Sequence, residues 1–483
     1  MKKLLFLIGI LSSGLYGASI DHIQTYSPDY LANQAQTGMI DEVSAYYNPA
    51  GLSRLDKGKY VHLGLQLANG HEKMSYKGKE HKAHLTQLIP NVSLTSVDDN
   101  GAYFFTFGGL AGGGKLEYDG VSGIDVLSDL AQFQPLGVYD KGSTLTGKNL
   151  YEQATLGRAF TINDQLSVSV AGRIVHGSRN LSGTLNIGTN PSTAYKQAKV
   201  QQVTQEVSKA VDAATQGSGL SAAQIAAIKQ QKTTQALTLL QTKMNALQQN
   251  GLSGDLDSKR EAWGYGFQIG VNYKVNDKLN LAARYDSRIK MNFKAKGSEN
   301  QLQTADIIGS NIGLSTFYPQ YAINSKIRRD LPAILSVGAS YKVTDNYLVS
   351  TSANYYFNRH AKMDRVTTFG GHEHGRDYKN GWEIALGNEY KLNDKFTLIG
   401  SVNYARTGAK NSSFNDTEYA LNSVTLGAGL RYKYDDTLSI TGSVAHFIYE
   451  KEDGNFKEKY KVNDNQKYHK EITAFGLSVT KKF

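Results

Sequence analysis

The sequence predicts an all-β fold, a 14-stranded antiparallel transmembrane β-barrel with a helical insert in an external loop. Three observations predict it. Beyond the N-terminus no apolar run approaches the ~18–20 residues of a membrane helix, a test that barrels escape because only every second residue faces lipid. Short polar clusters divide segments whose side chains are apolar at every second position. The connections between those segments alternate between short and long.

Six clusters mark tight turns: Asp98-Asp99-Asn100-Gly101, Asn163-Asp164-Gln165, Asn276-Asp277-Lys278, Thr344-Asp345-Asn346, Asn393-Asp394-Lys395 and Asp435-Asp436-Thr437. Asn and Asp tolerate turn geometry and bond their own backbone. Around them Leu166, Val168 and Val170 alternate with small polar residues. So do Phe267, Ile269, Val271 and Tyr273, then Leu335, Val337, Ala339, Tyr341 and Val343, then Val424, Leu426, Ala428, Leu430 and Tyr432. This is period-two patterning with one apolar face. Six hairpins give twelve strands, and segments near 60–67 and 471–483 bring the count to fourteen. The other seven connections, near 70–84, 109–147, 180–258, 291–328, 359–376, 406–418 and 450–466, are expected to be long. Outer-membrane barrels sort their loops in this way, with short periplasmic turns, long external loops and an even strand number. Phe475, Leu477, Val479 and Phe483 place apolar side chains on one face of the last strand.

Composition agrees. Tyr (30) suits an interfacial girdle and Gly (48) suits kinks, while Pro (7), which breaks ladders, is scarce. With no cysteine, disulfides, thiolate catalysis and cysteine-based zinc sites are excluded. The net charge of +10 fits solvated loops or an anion-attracting rim. Residues 1–18 have the layout of a signal peptide: Met1-Lys2-Lys3, an apolar stretch to Leu11, then Ser12-Ser13-Gly14.

Within the third long connection, Val200, Val203, Val207 and Val211 recur at helical spacing. After a Gly217-Ser218-Gly219 break, Ser221 and Gln224 form a capping box ahead of Ile225, Ile228, Leu237, Leu240, Met244 and Leu247. The spacing predicts a helical hairpin within an insert over 192–258. Its stripes either pack on each other or offer a surface to a partner. The fourth external loop is unusually apolar, with Ile308, Ile312 and Phe317 among its side chains, and is a candidate ligand surface. Alternation points Arg173, Arg284, Lys342, Arg431, Lys433, Glu383 and Glu389 into the lumen. A ligand carboxylate would need an uncompensated cation there, and Arg173 and Arg284 are the candidates. His360, His372 and His374 share a loop with Glu373, but no metal or other cofactor is expected. No nucleophile motif, phosphate loop or nucleic-acid module is present, so neither an enzyme nor a nucleic-acid partner is expected.

Residues 45–55, Ala-Tyr-Tyr-Asn-Pro-Ala-Gly-Leu-Ser-Arg-Leu, do not alternate. They resemble the N-terminal motif of the long-chain fatty acid outer-membrane transporter family (FadL/TodX type), with Gly38, Asp41 and Glu42 in comparable places. Asp330 to Tyr341 and Trp382 to Tyr404 are similar to strand segments of that family. The resemblance implies a hatch over 19–58 that plugs a barrel over 59–483. It also implies passage of hydrophobic small molecules such as fatty acids or aromatic hydrocarbons, with lateral exit into outer-membrane lipid at a kink in the third strand. Asn48, Pro49 and Gly51 then become hatch or gating residues, although Asn, Pro and Gly form turns in any case. Gly108 and Gly109, after a strand at 102–107, become the kink, or simply a flexible loop. Plugged barrels of this type are single units. A surface adhesin or receptor that contacts a host through its long loops, and an open porin, are the rival readings.

Overall fold

The computed structural model describes residues 23–120, 122–131, 133–296, 324–364, 378–414 and 419–483, together with short strand segments at 301–304, 312–313, 366–367 and 373–374. The signal segment 1–18 lies outside the described residues. Fourteen wall strands run antiparallel in sequence order. They are β1 (Gly58–Tyr76), β2 (Lys79–Asp98), β3 (Gly101–Tyr118), β4 (Thr144–Thr161), β5 (Leu166–Thr189), β6 (Leu252–Lys274) and β7 (Leu279–Asp286). There follow β8 (Ile334–Thr344), β9 (Tyr347–Tyr356), β10 (Gly381–Lys391), β11 (Phe396–Arg406), β12 (Ser423–Lys433), β13 (Leu438–Tyr449) and β14 (Lys467–Lys482). β1 pairs with β14 from Tyr60↔Lys482 to Ser75↔Lys467, which closes the barrel and leaves the sheet no edge.

Turn chemistry sets the short-turn end. The Asn163 Oδ1 accepts the backbone N–H groups of Gln165 and Leu166 at 2.9 and 2.8 Å. Asn276, Asn393 and Asp435 each do the same for the residues two and three ahead. Between the turns, alternation sorts the side chains. Leu63, Leu65, Leu67, Phe267, Ile269, Leu426 and Leu477 stand exposed on the outer wall. His62, Gln66, Ser169, Arg173, Asn272 and Ser478 are buried toward the lumen.

Three expectations need correction. Residues 70–84 are not a long loop: β1 and β2 continue through them to a two-residue turn at Lys77-Gly78, both with positive φ. This stretch is polar on its outward face (His71, Lys73), and its inward face mixes Glu72 and His81 with buried Met74, Tyr76 and Ala83, so the lipid-facing apolar signature of a strand is missing although the ladder persists. The helical insert is shorter than 192–258. Its helices are α3 (Thr193–Thr215) and α4 (Ala222–Asn250); Gly251, at φ 65°, stops α4, and residues 252–258 already pair with β5. Lys342 and Lys433 are not buried lumen charges but lie exposed near the short-turn rim, Lys433 paired with Asp436 at 2.6 Å.

Ser221 and Gln224 close the capping box of α4. Val211 of α3 and Met244 and Leu247 of α4 are the buried residues of the hairpin, and Asp212 and Lys229 bridge its helices at 2.6 Å. The stripes are only partly covered: Val200 stays 43% exposed, and Leu247 packs in the cluster that includes Leu181, Leu185 and Ile187 of the wall. Among the described residues no helix is long and apolar enough to cross a membrane.

Candidate functional site

Residues 23–57 fold inside the barrel as α1 (Pro28–Ala32), α2 (Ser44–Tyr47) and a 3-10 turn (Pro49–Arg54), and nearly all of residues 23–52 are buried. The wall holds them with neutral donors. Gln66 of β1 donates to the Thr25 carbonyl at 2.9 Å and Ser443 of β13 to that of Pro28 at 2.7 Å. Ser401 of β11 reaches the Ala32 carbonyl at 2.7 Å, and Ser340 of β8 and Asn280 of β7 converge on that of Gly38 at 2.8 and 3.0 Å. Ser167 of β5 donates to the Ala50 carbonyl at 2.7 Å. Gly38 lies flat against β8: a Cβ there would fall 2.3 Å from the Ala339 carbonyl carbon.

The Asn48-Pro49-Ala50-Gly51 turn anchors this plug. The Asn48 amide donates to the Met39 carbonyl at 3.0 Å and to Asn272 Oδ1 of β6 at 2.7 Å. Pro49 opens the 3-10 turn, where a missing N–H costs nothing. Gly51 leaves room for Asn48, since a Cβ would come within 2.6 Å of its side-chain nitrogen. Nearby, burial pushes the Asp41 carboxyl up to about 7; Arg431 opposes the shift, and Glu42, Glu389 and Asp29 add to it.

Arg173 and Arg284 are brought together. Both bond Asp286, at 3.1 and 3.0 Å, so two guanidinium groups share one carboxylate. Arg173 also holds Gln153 Oε1 at 2.8 Å, Gln268 donates to Asp286 at 2.7 Å, and Arg284 donates to the Tyr46 carbonyl of the hatch. The two cations are thus partly compensated, and one of them grips the plug. Among the described residues the hydroxyl of Tyr26, which lines the same cleft, has no hydrogen-bond partner. Burial pushes that phenol well above its usual range. Sequence reasoning missed Gln153, Gln268, Asp286 and Tyr26; the first three were accessible, because they share the inward parity of their strands. Of the fourth-loop candidates, Ile308 and Phe317 lie outside the described residues. Ile312 belongs to a two-residue strand paired with Gln301 and Leu302. His372 also lies outside the described residues.

Beside the plug is an apolar cluster. Tyr26 and Tyr30 stack on Tyr47, with ring centroids 5.7 and 5.5 Å apart. Leu110, Ala111, Tyr151, Val175, Met291 and Phe293 complete it. Leu110 and Ala111 belong to a break in the wall. β2 and β3 pair from Asp98↔Gly101 to Asn91↔Gly108, then stop, and resume at Leu85↔Leu116. Five residues of β2 (86–90) face seven of β3 (109–115) without a ladder. Pro90 has no N–H to give, and Gly112 and Gly114 take φ values of 92° and 73° in two bulges against β4. Gly108 and Gly109 are therefore not in a loop after the strand but inside it: Gly108 makes the last pair and Gly109 begins the break. On the lumen side the backbone N–H of Ile23, at the start of the described hatch, bonds the Leu110 carbonyl at 3.1 Å. Pro90, one of only seven prolines, was the sequence signal left unused.

The comparisons with known proteins agree with this architecture. The family model "Outer membrane protein transport protein (OMPP1/FadL/TodX)" matches residues 140–483. Outer membrane protein P1 of Haemophilus influenzae is 24% identical over 257 residues, which cover 51% of this chain and 52% of that one. The long-chain fatty acid transport protein of Escherichia coli O157:H7 is 21% identical over 275 residues, 56% and 58% of the two chains. The chain thus spans about half the length of these curated relatives. Among solved structures, a Pseudomonas aeruginosa FadL homologue superposes with a TM-score of 0.65 at 15% identity over 97% of this chain and 100% of the other. The Pseudomonas putida toluene transporter TodX gives 0.62 at 17% identity, over 96% and 100%. At these identities the structures establish the fold. The family match covers most of the wall, and the chain belongs to the OMPP1/FadL/TodX family of outer-membrane transport proteins.

Proposed function

We propose that this protein passively takes up long-chain fatty acids or similar hydrophobic compounds and delivers them sideways, between β2 and β3, into the outer membrane. The observation that carries the reading is the unpaired stretch 86–90/109–115, next to the Tyr26–Tyr47 apolar cluster and occupied on its lumen side by the hatch at Ile23. A hydrophobic solute held by that cluster moves from one apolar environment to another through the break, without crossing the polar lumen below the plug. Arg173 and Arg284, one positive charge in excess over Asp286, suit a ligand with an anionic head. The names of two relatives, a fatty acid transport protein and a toluene transporter, fit this substrate range.

The test closes the break. Deleting Gly112 and Gly113 leaves five residues of β3 opposite five of β2, so the ladder can run through. In a strain lacking the chromosomal gene, wild type should restore uptake of radiolabelled oleate, and the deletion variant should abolish it while keeping the heat-modifiable gel mobility of a folded barrel. Undiminished uptake by a folded deletion variant would sink the lateral route.

A further inference from the structure

The external mouth carries a sector in which, among the described residues, lysines outnumber carboxylates. Along the outer face of β6, Tyr273, Val271, Ile269, Phe267, Tyr265 and Trp263 are exposed in sequence, with Trp263 at 61% and Tyr265 at 70%. This is the lipid-facing stripe, and its aromatic end marks the external membrane interface. The next outward residues are Glu261 and Lys259. β7 continues beyond its bend as Asn292–Lys296 and places Lys294 opposite Glu261 and Lys296 opposite Lys259. The segment Lys326–Arg328 then places Lys326 opposite Lys294. Lys290, exposed on the same strand continuation, lies beside β6, its carbonyl 2.9 Å from where a Cβ on Gly264 would stand.

Four lysines, Lys259, Lys294, Lys296 and Lys326, thus surround one glutamate just above the aromatic edge, and Lys290 lies level with Tyr265. Glu261 pairs with Lys259 at 3.1 Å and with Lys296. Among the described residues Lys290, Lys294 and Lys326 form no ion pair. Arg328 and Arg288 nearby turn to Asp330, at 2.9 and 3.7 Å, and Asp257 and Asp255 stand farther from the membrane on β6. Other rim lysines divide: among the described residues Lys82 and Lys148 form no ion pair, opposite Lys73 and Lys115, while several others find partners. Around the mouth Lys73 pairs with Glu80 at 2.9 Å and Lys115 with Glu117. At the short-turn end Lys274, Lys433 and Lys482 pair with Asp277, Asp436 and Asp56 at 2.7, 2.6 and 3.2 Å. Like charges directly opposite in a sheet, as at Lys294 and Lys326, are destabilising when nothing lies between them.

We propose that this sector, Lys294, Lys296 and Lys326 above Trp263 with Lys290 beside Tyr265, is a binding site for the phosphorylated headgroup of an outer-leaflet glycolipid of the lipid A type. Three adjacent strands at ~4.8 Å spacing present cations across ~10 Å, a width that suits a headgroup with more than one phosphate. Its acyl chains lie along the Phe267–Ile269–Val271 stripe in the same membrane leaflet. Lysine ammonium groups bind phosphate as point charges, without the fixed fork that arginine would impose. The site is on the outer wall, and its occupation is independent of the lumen route.

The experiment uses the full-length protein in detergent, titrated by native mass spectrometry with bisphosphoryl lipid A, monophosphoryl lipid A and phosphatidylglycerol. Wild type should hold bisphosphoryl lipid A about tenfold more tightly than phosphatidylglycerol, with monophosphoryl lipid A between them, and millimolar inorganic phosphate should not displace it. The Lys290→Gln/Lys294→Gln/Lys326→Gln variant should weaken binding about tenfold, whereas Lys433→Gln at the opposite rim should not change it. Binding within about twofold of wild type by the folded triple variant, or equal affinity for phosphatidylglycerol, overturns the proposal. Should the variant not fold, wild type decides alone: loss of preference between the one- and two-phosphate lipids, or binding unmoved between 50 and 200 mM salt, overturns it equally.

Discussion

The barrel has two seams of contrasting character. Where β1 meets β14 the register runs unbroken from Tyr60 to Ser75, and a buried ion pair fastens it: Lys470 and Glu72, both 0% exposed and 3.0 Å apart. Tyr118 donates to Glu72 at 2.9 Å, and the ammonium group lies 4.3 Å from the centre of the Tyr419 ring. Where β2 meets β3 the ladder is abandoned for several residues, and no such pair is placed there among the described residues. Both seams belong to the same closed sheet, so the break is not a general strain of closure. It is written locally, by a proline on one side and bulged glycines on the other.

Three perturbations probe that contrast. The largest effect is expected at the closed seam. Lys470→Met strips the partner from a buried carboxylate and should cost about 3–5 kcal/mol, read as a lower urea midpoint for unfolding of the detergent-solubilised barrel. A midpoint unchanged from wild type would mean that the ladder alone holds the seam. The second perturbation asks how firmly the plug stands behind the open seam. The Asp41 carboxyl titrates near 7 when buried and near 3.8 when free, so the docked hatch prefers the protonated form. Docking should weaken as pH rises from about 4 to about 7 and level off above. Proteolysis of the hatch should be faster at pH 8 than at pH 5, and Asp41→Asn should flatten that dependence; an Asn variant with the wild-type profile refutes the assignment. The smallest effect is expected from Pro90→Val, which returns one backbone donor to β2. It should stabilise the barrel by no more than about 1 kcal/mol while slowing uptake. Uptake at the wild-type rate would show that the glycines alone keep the break open.

The wall was legible because lipid and lumen impose opposite chemistry on alternate residues, and because Asn and Asp announce the short turns through their own side chains. That signal fades above the membrane. At 70–84 the outward face of the hairpin is polar, so the apolar stripe that marks the other strands is absent, and the inward Met74, Tyr76 and Ala83 with the two-residue turn at Lys77-Gly78 were the remaining signs of the fold. The candidate site was half legible. Parity brought Arg173 and Arg284 inward, but their common partner, Asp286, sits at a strand end where the pattern gives no pairing information. The glycines after Phe107 were visible; that they lie inside a strand was not, because a bulge changes the parity on which the reading depends. The Asn48–Gly51 motif stood out as a turn, yet its hold on Asn272 is a contact between residues 224 positions apart.

The way the wall holds its plug has an evolutionary side. Ser167, Gln66, Ser340, Ser401 and Ser443 all donate to main-chain carbonyls of the hatch. A carbonyl is the same whatever side chain its residue bears. At Thr25, Pro28, Ala32 and Ala50, therefore, the hydrogen bond does not depend on the side chain, and packing alone limits change at these buried positions, while Gly38, pressed against β8, cannot accept a side chain. A lineage built this way can exchange side chains of similar size in the plug without first redesigning how the wall fastens it.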